Sequence, residues 1–515
     1  MTDNTTLARA YHERTKHRLD GYARGPQYLD WDQQPNPFRR FQGTELLELP
    51  LLQAQEPVPA SINQLTTIAA LLELSLGLSA WKQFGPDRWA LRANPSSGNL
   101  HPTEGYVVAC GLQGLADGVY HYAPHEHALE LRGYWAEAIT TPQLLLGLSS
   151  IVWREAWKYG ERAFRYVQLD VGHALGAVRY AAAALGLRVE LLPVSDAQIS
   201  ALLGLDRKDD FADAEREHPD LLLRIQAGGE NWYLPNVTNW FGTANALGGY
   251  PRPQWTVIDE VRQATELLQA LPVQSHKPAE RAPDQSLIPL IRQRRSAQAF
   301  SSKNSLLARD TFYQMLMAVM PEQALPWDVW TLPIRTHVVL FMHRVEGLPA
   351  GLYALPRHAQ AKAQLQLVLN QEFLWQTPEG CPASLPLYHL ISADARKAAR
   401  TLSCHQDIAS TSAFSLGMLT EYAAGLSENA AVYRYLFWEA GLLGQVLYLE
   451  AEKHAMRGTG IGCFFDDSVH QILGIPAGNT QFQSFYHFTV GSPTTDNRID
   501  TLPPYSHLNS RVPHD

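Results

Sequence analysis

Three short stretches carry the residue types from which a binding site could be built. Asn94-Pro95-Ser96-Ser97-Gly98-Asn99-Leu100-His101-Pro102 gathers hydroxyls, amides and a glycine into one turn. Its backbone N–H groups and short side chains could line a flat ligand with polar edges, with Pro95, Ser96, Ser97 and Asn99 as candidate contacts. The same composition also describes an ordinary surface loop. Arg294-Arg295-Ser296-Ala297-Gln298-Ala299-Phe300 places two guanidinium forks beside the Ser296 hydroxyl and the Gln298 amide. Such forks suit a phosphate, although arginines at a helix start are more often a solvated face. Arg457-Gly458-Thr459-Gly460-Ile461-Gly462 reads as a glycine-rich turn, equally compatible with a helix cap.

Composition narrows the function classes. The chain has 515 residues, 45% hydrophobic and 18% charged, with a formal net charge of −9. That length calls for two domains. The charge balance, with no basic cluster, argues against nucleic acid as a partner. No apolar run reaches membrane-spanning length, and the first residues do not read as a signal peptide. The four cysteines, Cys110, Cys381, Cys404 and Cys463, stand far apart without a C-x-x-C pair. We therefore expect neither a disulfide framework nor a zinc site, and a cytoplasmic location. The 19 histidines show no metal-ligand spacing.

The elements that position these stretches occur twice. Gly114-Leu115-Ala116-Asp117-Gly118-Val119-Tyr120 returns as Gly347-Leu348-Pro349-Ala350-Gly351-Leu352-Tyr353, an offset of 233. Phe164-Arg165-Tyr166 returns as Tyr433-Arg434-Tyr435 at 269, and Leu203-Gly204-Leu205 as Leu473-Gly474-Ile475 at 270. The change of offset implies an insertion in the second half, between Gln360 and Gly425. Glu104–Cys110 and His337–Met342 read as buried strands. Tyr166–Leu187 and Leu436–Met456 read as long apolar helices, and in the first Gly172, Gly176, Ala177 and Ala181 would permit close packing. A further helix is expected over Ile62–Trp81. The polar, proline-bearing segment 271–285 reads as a linker between domains at 46–270 and 286–515, with 1–45 as a wrap-around arm. The expected class is α+β, two mixed sheets flanked by helices.

The serine turn and the arginine segment together resemble the FMN-dependent nitroreductase superfamily, whose homodimers draw one motif from each subunit. Here the motifs are inverted and far apart, which implies two such domains fused as an intramolecular pseudo-dimer, with a monomer expected. The resemblance assigns FMN contacts to Arg294, Arg295, Ser296, Gln298, Pro95, Ser96, Ser97, Asn99, Gly458, Thr459 and Gly460. It adds Arg498 as a third phosphate cation. The complementary pair is missing, since Pro326–Ile334 has no serine or asparagine and Pro37-Phe38-Arg39-Arg40-Phe41 lacks the serine. One FMN per chain is expected. Within the superfamily the chain is most similar to SagB-type azoline dehydrogenases, in which a Lys-Tyr pair, here Lys158-Tyr159, is the acid–base candidate. Ser427 stands at the second-half counterpart of Lys158. That branch implies a small-molecule or modified-peptide substrate. NAD(P)H-driven reduction of nitroaromatics, quinones or flavin is the alternative, and a flavin-free scaffold a more distant one. No metal is implied.

Overall fold

The structure, a computed structural model, describes residues 3–52, 61–137, 141–226, 232–249, 254–270, 282–321 and 325–508. Most of the expected linker therefore lies outside the described residues. Two sheets dominate. The first runs in the order Asn239–Trp240, Ala128–Tyr134, Gly118–Ala123, Thr103–Cys110, Gln143–Ser150, His218–Gln226, Arg188–Leu191, with Leu46–Glu48 also on Ala128–Tyr134. The second runs Tyr388–Ser392, Gly351–Leu355, Thr336–Met342, Phe414–Glu421, Phe482–Gly491, Arg457–Ile461. Six consecutive strands match between the two, so the repeat in the sequence is a repeat of topology. The fold is the expected α+β pair, with one difference of detail: the described ladders of both sheets are antiparallel rather than mixed.

Each half sends one 22-residue helix through the centre, Ala163–Ala184 and Val432–Lys453. Both are buried on nearly every face because each is covered by its own sheet and by the other helix. They cross where neither has a side chain. A Cβ added to Gly172 would lie 2.2 Å from the Trp438 carbonyl oxygen, and one on Gly441 would lie 2.2 Å from that of Leu169. Around the crossing, Val167, Leu175, Val178, Leu436, Leu443 and Val446 belong to one continuous core shared by the two halves. Trp438 Nε1 donates to Gln168 Oε1 at 2.6 Å, joining the helices with a buried polar contact.

Other expectations need correction. The helix read at Ile62–Trp81 covers only Leu65–Ser75, because Leu78–Phe84 leaves it as a strand paired with Asp87–Arg92 and with the C-terminal Asp500–Leu502. The insertion lies within Gln360–Gly425, as expected. Phe414–Glu421 and Tyr422–Glu428 are the counterparts of Gln143–Ser150 and Val152–Tyr159, so the added helices are Ala361–Val368, Arg396–Leu402 and Ile408–Thr411. Cys404 and Cys463 form a disulfide, contrary to expectation; their 59-residue separation hid a pairing that only the insertion creates. The first residues form a helix, Asn4–Arg14, whose His12 ring lies against Tyr422 and Phe485 of the second half.

Replacing Gly172 with valine should therefore destabilise the fold by about 3 kcal/mol or more, since the methyls meet backbone that cannot move aside. Gly21→Ala, where nothing lies within 4 Å, should leave the thermal midpoint nearly unchanged.

Candidate functional site

A cavity of about 410 Å³ opens between the halves, a volume suited to a small organic ligand. From the first half come Asn94 to Asn99, with Tyr159, Tyr166, Asp170 and His173. From the second come Arg294 to Gln298, with Tyr448, Arg457, Thr459 to Cys463 and Tyr486. The structure thus brings Pro95, Ser96, Ser97, Asn99, Arg294, Arg295, Ser296, Gln298, Thr459, Gly460 and Tyr159 to one wall or another of a single space.

The serine turn is held from the first long helix. Asp170 accepts hydrogen bonds from the Ser97 backbone N–H and from its Oγ, both at 3.1 Å. Ser96 Oγ accepts from the His101 N–H at 2.8 Å, and Asn99 Nδ2 donates to the Ala90 carbonyl at 2.9 Å. Gly98, Asn99 and His101 all have φ between 52° and 61°, the left-handed region that glycine and asparagine tolerate best. Much of this motif's polarity therefore builds the turn itself. Asn94 differs: it is buried, and neither its Oδ1 nor its Nδ2 has a hydrogen-bond partner among the described residues.

On the facing wall the helix Leu287–Gln293 ends where the arginines begin, so Arg294 and Arg295 follow a helix C-terminus instead of starting a helix. The glycine-rich turn is in fact the edge strand Arg457–Ile461. The arginine segment is stitched onto it: Ala297 N–H donates to the Gly458 carbonyl at 3.0 Å, and Thr459 Oγ1 donates to Ala297 O at 2.6 Å. Gly458 faces Phe488 and does not line the cavity, and the Gly460 N–H is already engaged by Tyr448 Oη at 3.0 Å. Arg294 is 3% exposed and, among the described residues, donates only to the Ala93 and Arg92 carbonyls and has no hydrogen-bond partner for Nη1. Burial lowers its pKa. Burial, with Arg294 and Arg457 nearby, lowers Arg295 to about 10, and Lys82 is lowered by burial and by Arg295 and Arg457. Four cations crowd this end, and Glu452, 3.3 Å from Arg457, is the carboxylate paired with them. Arg498 does not join them. It is 76% exposed, paired with Asp496 at 2.7 Å and absent from the cavity wall. Sequence position near the C-terminus pointed to it, while Lys82 and Arg457 occupy the place.

Lys158 and Tyr159 end the helix Val152–Tyr159 and converge on the serine turn. A Cβ on Gly98 would lie 2.5 Å from Tyr159 Oη and 3.1 Å from Lys158 Nζ. Burial lowers the Lys158 pKa, against the opposing pull of Glu155. Burial raises Glu155 well above its ordinary value, with Asp170 adding to the shift, and raises Asp170 to about 7. His173, bonded to Tyr486 Oη at 3.0 Å, is held neutral by burial, its pKa near 3. Sequence reading missed Asp170, Glu155, Tyr448 and Tyr486 as site residues. An acid inside an apolar helical run was the one signal available for Asp170.

The pseudo-symmetric position is closed. There Leu191 to Val194, Leu332, Tyr435 and Trp438 surround only about 30 Å³. Arg179 and Asp328 form a buried ion pair at 2.6 Å beside it. Arg39 is spent on Glu217 at 3.1 Å, and Ser427 is exposed on its helix. Away from both, His337, His358 and Glu421 bring ligand-type atoms within 4.8 Å, but Arg335 already stands 3.6 Å from that carboxylate.

A protein of Methanocaldococcus jannaschii, described by its name as a nitroreductase, is 32% identical over 152 residues, spanning 27% of this chain and 72% of that protein. The chain belongs to the nitroreductase family. A crystal structure from Anabaena variabilis, likewise described as that of a nitroreductase, superposes with a TM-score of 0.71 at 24% identity, covering 95% of this chain and 99% of the other. No known family profile matches the chain. None of the described helices is long and apolar enough to cross a membrane.

Asp170 gives this nitroreductase-family protein a pH signature. Its folded pKa of about 7 lies above the ordinary 3.8, so between those values the folded state binds the extra proton. Stability contributed by this group falls as pH rises from about 4 to 7. Asp170→Asn should flatten that slope by up to ~1.4 kcal/mol per pH unit, read from denaturant midpoints across the range.

Proposed function

We propose that the chain is an FMN-dependent oxidoreductase binding one FMN in the cavity between its halves. The observation that carries this is the buried Arg294, held by backbone carbonyls with no carboxylate on it among the described residues, beside Arg295, Arg457 and Lys82, on a cavity that the Asn94 amide also lines with no hydrogen-bond partner among the described residues. The residues fit the group. Cations crowded without enough carboxylates suit a phosphate, the Asn94 amide suits the edge of a polar ring, and Tyr159, Tyr166, Tyr448 and Tyr486 supply aromatic faces. Ser296, Gln298, Pro95, Ser96, Ser97, Asn99, Thr459 and Gly460 complete the walls.

Bound FMN would supply a hydride acceptor at its N5. The rest belongs to the chain. Lys158, whose pKa burial lowers, takes the proton from the carbon next to the one losing hydride. Tyr159 Oη holds the substrate heteroatom or relays that proton. This is the work an azoline dehydrogenase of the SagB type must do, and the convergence of the pair at Gly98 supports that branch over a reductase fed by NAD(P)H. The substrate class is then a thiazoline or oxazoline, free or within a peptide.

Reconstitution should reach one FMN per chain, and Arg294→Ala should weaken FMN binding about ten- to a hundredfold by fluorescence titration. Uptake of a second FMN would overturn the single-site reading. Lys158→Met should keep FMN affinity while lowering kcat for azoline oxidation by roughly 10²–10⁴. Equal loss of NAD(P)H-driven reduction would count against the acid–base role.

A further inference from the structure

The disulfide between Cys404 and Cys463 stands in the wall of the same cavity. Cys463 lines it directly, and so does Gln406, two residues beyond Cys404. Cys463 follows Gly462, whose missing side chain leaves room for the Tyr166 ring, 2.2 Å from where a Cβ would be. Tyr166 in turn packs on Tyr159 with ring centroids 4.5 Å apart. The disulfide is therefore on the side of the cavity where Tyr159 sits; Lys158, its neighbour, does not itself line the cavity.

Two further observations separate this bond from a structural staple. The segment carrying Cys404 follows Arg396–Leu402, a helix of the insertion that the first half lacks, and Leu191 to Val194 at the closed pseudo-symmetric position contain no cysteine. The bond was thus added only where a cavity is open. Cys404 and His405 also hold φ of 52° and 61°, two successive non-glycine residues in the left-handed region. Such strain is concentrated where a protein must place a reactive group. Both cysteines are partly exposed, so a small reactant can reach them.

We propose that Cys404–Cys463 is a redox-active disulfide that accepts the electron pair released in the cavity and hands it to an external low-molecular-weight disulfide. This rests on the FMN reading above, and supplies the electron acceptor that a dehydrogenase requires. Bound FMN, once reduced, would supply two electrons and two protons; on taking them the S–S bond would break, leaving two thiols. In the second, one thiolate attacks the external disulfide, expelling one thiol from it. The other thiolate then resolves the mixed disulfide, releasing the second thiol and restoring Cys404–Cys463.

The test is an anaerobic dithionite titration of the FMN-loaded full chain, with cysteines alkylated and mapped at each point. The intact protein should take up four electrons per chain, and Cys404→Ser and Cys463→Ser should each take up two while keeping FMN. Before reduction, alkylation under denaturing conditions should label Cys110 and Cys381 alone; after it, all four cysteines. Glutathione disulfide added to the reduced protein should restore the two-cysteine pattern. An end point of two electrons in the intact protein, or four free thiols before reduction, overturns the proposal and leaves the cofactor reading standing. Failure to bind FMN overturns both, and is seen before any titration begins.

Discussion

The contact on which everything else depends is the one between two backbones. At Gly172 and Gly441 the long helices approach until a carbonyl oxygen of each occupies the space where the other's side chain would be. No pair of side-chain-bearing residues permits that distance, because ordinary helix packing is set by the side chains between the axes. The approach fixes how far apart the two sheets stand and how they are rotated. It also decides that the serine turn of the first half and the arginine segment of the second line the same cavity. Polar residues next to the crossing are satisfied in pairs made across it: His173 with Gln445 and Tyr486, Gln168 with Trp438. Buried polar groups bonded in this way specify one register of the two helices and penalise others.

A second consequence is electrostatic. Bringing the halves together buries one end of the cavity before its charges are balanced. Arg294, Arg295, Arg457 and Lys82 repel one another, which is why burial and mutual proximity lower the pKa of Arg295 and of Lys82. At the other end, Glu155 and Asp170 are carboxyls whose burial favours their protonated forms. The cavity is thus polarised, cationic where an anion would sit and proton-rich beside Lys158 and Tyr159.

Much of this was legible in the chain itself, for identifiable reasons. Repeats survive as spacings, so the duplicated halves, the two long helices and the meeting of the Ser96 turn with Arg294 could be read directly. Periodicity failed where a short element's state is decided by its partner. Arg457–Ile461 has the composition of a turn but lies on a sheet edge, and Leu78–Phe84 continues a helical pattern but pairs with a distant C-terminal strand. The missed site residues come from long elements whose pattern reports only burial. Tyr448 within Val432–Lys453 cannot be told from a core tyrosine until the opposite half is in place. Arg498 failed for the complementary reason: its local partner, Asp496, is two residues away and satisfies it in solvent.

Comparison of the two pseudo-symmetric positions shows what the open one lacks. In the closed position each buried guanidinium meets a carboxylate, Arg179 with Asp328 at 2.6 Å and Arg357 with Glu439 at 2.5 Å, and Arg357 also lies over the Trp327 ring. Aromatic and aliphatic side chains fill the remainder. Such pairs are costly to assemble but self-sufficient once made, and a protein can hold them without any ligand. In the open position Arg294 has backbone carbonyls and the Tyr448 ring in place of a carboxylate. One nitrogen of each of Arg294, Arg179 and Arg357 is without a hydrogen-bond partner among the described residues, so the difference between the positions is the missing carboxylate. A buried charge without a paired carboxylate is costly. A chain that duplicated its fold had the means to neutralise both positions, and did so at one. An anion brought by a ligand would complete the remaining imbalance, which is the physical argument for the one-FMN reading proposed above, while its twin is filled as a piece of core.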